Sequence, residues 1–255
     1  AWRATPDITN PGADLANWPN SAFTLPQGRA YVEVAPVGFY GSSKQSPQIL
    51  DSEFLIRYGL TDDVELRVFG QGETWTGGST SRWSYSPLAF DTKIQCWTEN
   101  TENFIPAMGF EAYIQTQWLG DSATNAGTQP GFSFNFDQSL PLEIDFEYNI
   151  GAMRYRSPTG TDIWDYTFQW AFQRDLFEDE FAVFIHGYIN GASLPRGPKG
   201  QPMMTSASGN GTQNVVGTGF IWNLNKRVAL WGQTSMGTTH VTPATLSYAG
   251  FSVAF

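Results

Sequence analysis

The sequence predicts an all-β chain: one antiparallel transmembrane β-barrel of about twelve strands, with the N- and C-termini periplasmic. Three observations predict it. Apolar and polar residues alternate singly over long stretches, the period of a strand with two unlike faces. Aromatics make up 15% of the chain and charged residues only 15%, against a usual ~25% charged. Short and long connections alternate, as they do in bacterial outer-membrane barrels.

The chain opens with residues 1–27, rich in Pro, Asn and Ala and without a sustained period. They are read as an extended N-terminal segment, either a tail or a partial plug of the barrel mouth, with disorder as the plainer alternative. Ala1 is expected to begin a processed chain. Residues 28–255 are the barrel. Its strands are expected near 29–41, 46–60, 62–75, 86–97, 104–119, 130–139, 141–156, 161–174, 179–193, 212–224, 226–237 and 244–255. Phe54, Ile56 and Tyr58 alternate with Glu53, Leu55 and Arg57, and Val64, Leu66 and Val68 with Glu65, Arg67 and Phe69. Leu142, Ile144, Phe146, Tyr148 and Ile150 alternate with Glu143, Asp145, Glu147 and Asn149. A helix would scatter those carboxylates around its surface, whereas a strand gathers them on one face. Tight links fall near residues 61, 140, 176 and 225, and longer loops over 77–85, 120–129 and 194–211. An even number of strands returns both termini to the short-turn side.

A soluble β-sandwich also alternates. Three features argue against it. Many strands exceed the usual five or six residues. Trp75, Trp83, Tyr85, Trp97, Trp118, Trp164 and Trp222 cluster near strand ends, where a bilayer interface suits a ring with a polar handle. Asp145 and Glu147 put charge in mid-strand, tolerable in a watery lumen but not in lipid. No apolar run approaches the ~20 residues of a membrane helix. The final strand carries Phe251, Val253 and Phe255 on one face, the pattern of an assembly signal read by the barrel assembly machinery.

A net charge of -10 without a basic cluster argues against nucleic acid as a partner. The single Cys96 excludes an internal disulfide, and it shares a face with Phe90 and Ile94 that is expected to meet lipid. His186 and His240 have no metal-ligand spacing and no serine elbow, so neither a metal, a cofactor nor enzymatic activity is expected. Met203-Met204 lie in the longest loop.

Leu55-Ile56-Arg57-Tyr58-Gly59-Leu60-Thr61-Asp62-Asp63-Val64-Glu65-Leu66-Arg67-Val68 resembles the RYGLTDRxELR hairpin of transporter-like barrels named for the MetA pathway of phenol degradation. Leu25-Pro26-Gln27-Gly28-Arg29-Ala30-Tyr31-Val32-Glu33 is similar to that family's entry into its first strand, and Ser86-Pro87-Leu88-Ala89-Phe90-Asp91-Thr92-Lys93 to a later one. Asp63 departs from the pattern, standing where a basic residue is expected. The resemblance spans roughly the first third of the chain and implies an outer-membrane transporter-like barrel, without carrying over phenol as the solute. In the hairpin itself, Gly59 is read as allowing a left-handed or strained backbone, with Thr61 and Asp62 as turn residues. Arg57 and Glu65 face the same side, as a cross-strand ion pair requires.

The function expected is a cell outer-membrane channel or facilitator for small solutes, hydrophobic or aromatic ones included. Its lumen and selectivity candidates are Asp51, Glu53, Arg57, Glu65, Arg67, Asp91, Lys93, Glu111, Glu143, Asp145 and Glu147. Phe69, Tyr113 and Trp231 alternate into the same polar face and offer a stacking surface. The alternatives are a structural barrel with a plugged lumen that binds a partner through its loops or N-terminal segment, and an outer-membrane lipase using a His/Ser pair at the lipid face. Outer-membrane lipid is the expected surrounding in each case.

Overall fold

The computed structural model describes residues 5–42, 47–78, 81–116, 118–120, 128–156, 162–177, 180–189 and 213–255. The strands among them are β1 (Ala30–Tyr40), β2 (Ile49–Thr61), β3 (Val64–Gly70), β4 (Glu73–Thr76), β5 (Arg82–Tyr85), β6 (Ala89–Trp97) and β7 (Ala107–Gln115). They continue with β8 (Gln129–Leu140), β9 (Ile144–Arg156), β10 (Asp162–Leu176), β11 (Phe181–Ile189), β12 (Asn214–Asn225), β13 (Val228–Gly237) and β14 (Thr245–Ala254). The two Met residues expected in the longest loop, Met203 and Met204, lie outside the described residues.

These segments make a closed antiparallel barrel of twelve staves. Successive staves pair in order, β3 with β6 where the short β4 and β5 intervene, and β1 pairs with both β2 and β14, with Tyr31 opposite Ala254. The seam between β1 and β14 is closed, as hydrocarbon demands, because it offers nothing to an unpaired N–H or C=O. Two staves are interrupted. β4 continues β3 along β2, with Thr74 opposite Asp51, and β5 runs ahead of β6. The first break holds Gly72 at φ +54, and the second holds Pro87, which has no N–H to give a ladder. The sequence reading assigned residues 77–85 to a loop. Arg82–Tyr85 is instead a strand, where Trp83 pairs across to Trp75.

Alternation turns every second residue inward. In β1 the parity changes once: Tyr31, Glu33 and Ala35 face in, then a bulge at Pro36 brings Gly38 and Tyr40 to the inner face. The outer face is apolar along its height, including Ile56, Leu66, Ile94, Ile150, Ile185, Phe220 and Phe251. Phe136, Tyr148, Phe146 and Phe172 stack in series there at centroid distances of 4.8, 5.0 and 4.4 Å. Val253, Phe255 and Cys96 also point outward. Such a continuous apolar exterior suits lipid and would be an aggregation surface in water.

Ile8, bonded to Lys226, and Phe255, bonded to Ala30, lie at the end of the barrel that carries the tight turns, called here the short-turn end. One connection at that end is longer, 98–106, and holds a 3-10 turn at Thr101–Asn103 capped by Asn100.

The fold predicts a sharp contrast between adjacent positions of β10. Phe168 faces out, opposite Ile150, and Thr167 faces in. Phe168→Arg is expected to cost about 2–4 kcal/mol at mid-membrane and to reduce the folded band in a heat-modifiability gel. Thr167→Ser should fold as wild type does. Normal folding of the Arg variant would contradict a lipid-facing exterior.

Candidate functional site

The short-turn half of the lumen is lined by charge. Arg57 of β2 makes a two-pronged contact with Glu65 of β3, Nε–Oε1 at 2.7 Å and Nη2–Oε2 at 3.1 Å, and reaches Glu33 of β1 at 3.2 Å. Arg67 pairs with Glu111 of β7 and lies 3.5 Å from Asp91. Lys93 of β6 lies 3.4 Å from Glu111. Arg57, Arg67 and Lys93 are completely buried. Burying charge is costly unless each ion finds partners, and here the strands alone do not supply them all.

The remaining partners come from residues 5–27, which enter the lumen from the short-turn end and return to β1. Asp14 is the hub. Its Oδ2 lies 2.7 Å from Lys93 Nζ, 3.1 Å from Arg67 and 3.5 Å from Arg57, so one carboxylate serves three cations. Backbone groups of the segment complete the wall's own ions. The Leu15 N–H donates to Glu33 at 2.9 Å and the Leu25 N–H to Glu65 at 2.8 Å. Gly12 C=O accepts from Arg57 at 2.8 Å and Ser21 C=O from Lys93 at 2.8 Å. Asn20 Nδ2 donates to Glu111, Asn17 Nδ2 to Glu147, and Ser21 Oγ to Asp137.

Two inward glycines make the docking possible. A methyl on Gly109 would lie 2.5 Å from Ala22 O, and one on Gly59 would lie 2.2 Å from Pro26 O. Gly59 sits in β2 without a positive φ, so its role is close approach and not the left-handed backbone read from the sequence.

At the inner limit of the segment stands Trp18, buried among Tyr188, Tyr248 and His186. Its Nε1 donates to Ser235 Oγ at 3.2 Å, and His186 Nε2 lies 3.1 Å from the same oxygen. This His/Ser contact faces the lumen under an indole, not the lipid face that the lipase alternative requires. Nearer the loops the wall becomes more aromatic, with Tyr40, Phe69 and Tyr113, while Asp51 and Glu53 remain inward and buried.

Two expected wall residues lie elsewhere. Glu143 is not on the wall: it sits in the β8–β9 turn at φ +58, 85% exposed, 3.5 Å from Arg174. Leu142 and Glu143 are both left-handed, which breaks the pleat before β9 begins at Ile144. Asp145 is exposed at the rim, between Ser139 and Gln173. Asp14, Asn17, Trp18 and Asn20 had no periodic signal to reveal them.

A closed barrel, apolar outside and polar within, defines the class: transmembrane β-barrels of the outer-membrane type. The chain belongs to the family described as "Putative MetA-pathway of phenol degradation", whose model matches residues 13–255. The resemblance seen in the first third therefore extends over nearly all of it. Among solved structures, the chain is similar to an outer membrane channel from Pseudomonas putida F1. The TM-score is 0.67 at 10% identity, over 93% of this chain and 99% of that one. It is also similar to the NanC porin, with a TM-score of 0.53 at 7% identity over 88% of this chain and 98% of that one. At such identities the likeness is one of fold. No curated protein matches the sequence.

Asp14→Asn removes the anion shared by three buried cations. Breaking a buried pair costs about 3–5 kcal/mol, so the segment should undock. Limited proteolysis is expected to clip residues 5–27 in this variant while the barrel keeps its heat-modifiable mobility. Gly109→Val should give the same cleavage by steric means. Protection equal to wild type in both variants would refute this account of docking.

Proposed function

We propose that the protein is a passive channel of the outer membrane for small solutes, narrowed by its own residues 5–27. The observation that carries the reading is a charged, hydrogen-bonding inner wall inside an apolar exterior, in a barrel of twelve staves. Eight-stranded barrels are just wide enough for side chains to fill, and wider ones leave room for solute. The likeness in fold to an outer membrane channel and to a porin supports it.

A recess of about 200 Å³ at the short-turn mouth adds to this. It lies between Ile8, Pro11 and Ala13 of the segment and Gln173, Ala182 and Ile221 of β10–β12. The ion pairs crowd the opposite side, on β1–β3, β6 and β7. On this reading, solute enters by this recess, and Trp18, seated on Gln169 of β10 and on His186 and Tyr188 of β11, narrows the path beyond it. The tight-turn mouth and both termini face the periplasm, and the apolar belt meets outer-membrane lipid. The outward Phe251, Val253 and Phe255 serve assembly. The sealed, structural alternative draws on the extent to which residues 5–27 fill the lumen at the level of Asp14.

The inner wall and segment together carry Asp14, Glu33, Asp51, Glu53, Glu65, Asp91, Glu111, Asp137 and Glu147 against Arg57, Arg67 and Lys93. A low-dielectric wall focuses the field of that acidic excess. The purified chain in a planar bilayer is therefore expected to show a small, cation-preferring conductance, read from the reversal potential across a salt gradient. Asp14→Asn should enlarge it. Anion preference would overturn the model of selectivity, and zero conductance in both proteins would favour the sealed barrel.

A further inference from the structure

The loop-side half of the lumen contains polar atoms with no hydrogen-bond partner among the described residues. Asp51 Oδ1, Gln233 Oε1 and the Tyr248 hydroxyl are three of them, each on a residue more than nine-tenths buried. Buried polar groups are nearly always satisfied, so each such atom calls for a cause. These three also share a place. Asp51 on β2, Gly38 on β1, Tyr248 on β14 and Gln233 on β13 are successive register partners, one row across four staves. The missing side chain of Gly38 lets the row close up. A methyl there would lie 2.1 Å from Asp51 Oδ1 and 2.7 Å from Cε1 of the Tyr248 ring.

Aromatic rings flank that row at Tyr248. Tyr40 stands edge-on to Tyr248 at 5.4 Å and donates its hydroxyl to Glu53 at 3.1 Å. Trp18 stands edge-on to the same Tyr248 ring at 5.9 Å. Asp51 uses its other oxygen to accept from Gln71 Nε2 at 3.0 Å. The lumen's Arg57, Arg67 and Lys93 are engaged with Asp14, Glu33, Glu65, Asp91 and Glu111, and among the described residues no cation pairs with Asp51.

A carboxyl oxygen, an amide oxygen and a tyrosine hydroxyl left unsatisfied along one row of the inner wall, with tyrosine rings beside them, have a definite chemical complement. A group with several N–H donors and a positive charge can donate to oxygens of this row and is attracted to the ring faces. A carboxylate or phosphate would add another acidic group beside Asp51 and Glu53, and a neutral hydroxyl lacks the charge. We propose that this niche, formed by Asp51, Gln233, Tyr248 and Tyr40, binds the ammonium group of small organic cations on their way through the lumen. Passage of the cation through the lumen rests on the channel reading; the niche itself does not.

Calorimetry on the detergent-solubilised full chain tests it, with benzylammonium and the neutral benzyl alcohol as probes. Benzylammonium should bind at least about tenfold more tightly than the alcohol, since a charge-assisted bond is lost with the charge. Asp51→Asn, checked for folding by heat-modifiable mobility, should remove that difference. The amine-alcohol comparison in the wild type needs no variant, so a misfolded one leaves the test intact. Equal affinities for amine and alcohol, an unchanged preference in folded Asp51→Asn, or displacement of the amine by equimolar potassium would each overturn the niche. Bilayer recording separates the two readings. Binding without any conductance defeats the channel and spares the niche, and conductance without amine binding does the reverse.

Discussion

Everything in this molecule follows from the seam where β1 meets β14. A β-sheet in hydrocarbon can have no open edge, because an unpaired peptide group there has neither water nor protein to bond. Closing the seam divides the residues of each strand into an outer set that must be apolar and an inner set released from that demand. The inner set carries Arg57, Arg67, Lys93 and their carboxylates. Once buried, these ions need near-complete coordination. The wall does not supply it alone: Lys93 lies 3.4 Å from the wall's Glu111 but 2.7 Å from Asp14 of the segment. The N-terminal segment fills the axis with an aspartate, backbone N–H groups and carbonyls at the heights the wall requires.

Segment and wall are thus complementary in shape as well as charge. Gly59 and Gly109 remove side chains where the segment's backbone lies against the strands. Trp18 ends the charged layer and starts the aromatic one, with its indole N–H bonded to Ser235 and its faces among Tyr188, His186 and Tyr248. The lumen therefore has two chemical storeys, one of ions and one of rings.

Much of this was legible because a strand writes its two faces into the sequence with period two. Arg57, Glu65, Arg67, Asp91, Lys93 and Glu111 share the inner face by parity alone, as do Phe69, Tyr113 and Trp231. Parity fails where the backbone leaves the pleat. Glu143 continues the written alternation, yet two left-handed residues turn it out to solvent. The bulge at Pro36 shifts the inner positions of β1 by one. Residues 5–27 have no regular backbone and hence no period, so Asp14 and Trp18 could not be placed from pattern. What the sequence did hold was the imprint of the segment: glycines at inward strand positions, whose reason is a neighbour far along the chain.

The segment runs without a break into β1: Gly28 donates to Gly59, and the first strand begins two residues later. Asp14 is therefore a ligand on a leash. A tether of this length holds an effective concentration on the order of millimolar at its own site, and a docked segment refills its place far faster than a free solute arrives. Any anion that challenges Asp14 for its three cations thus competes with a partner that dilution cannot remove. Occupancy of this lumen is set inside one chain and does not depend on how much protein the membrane holds.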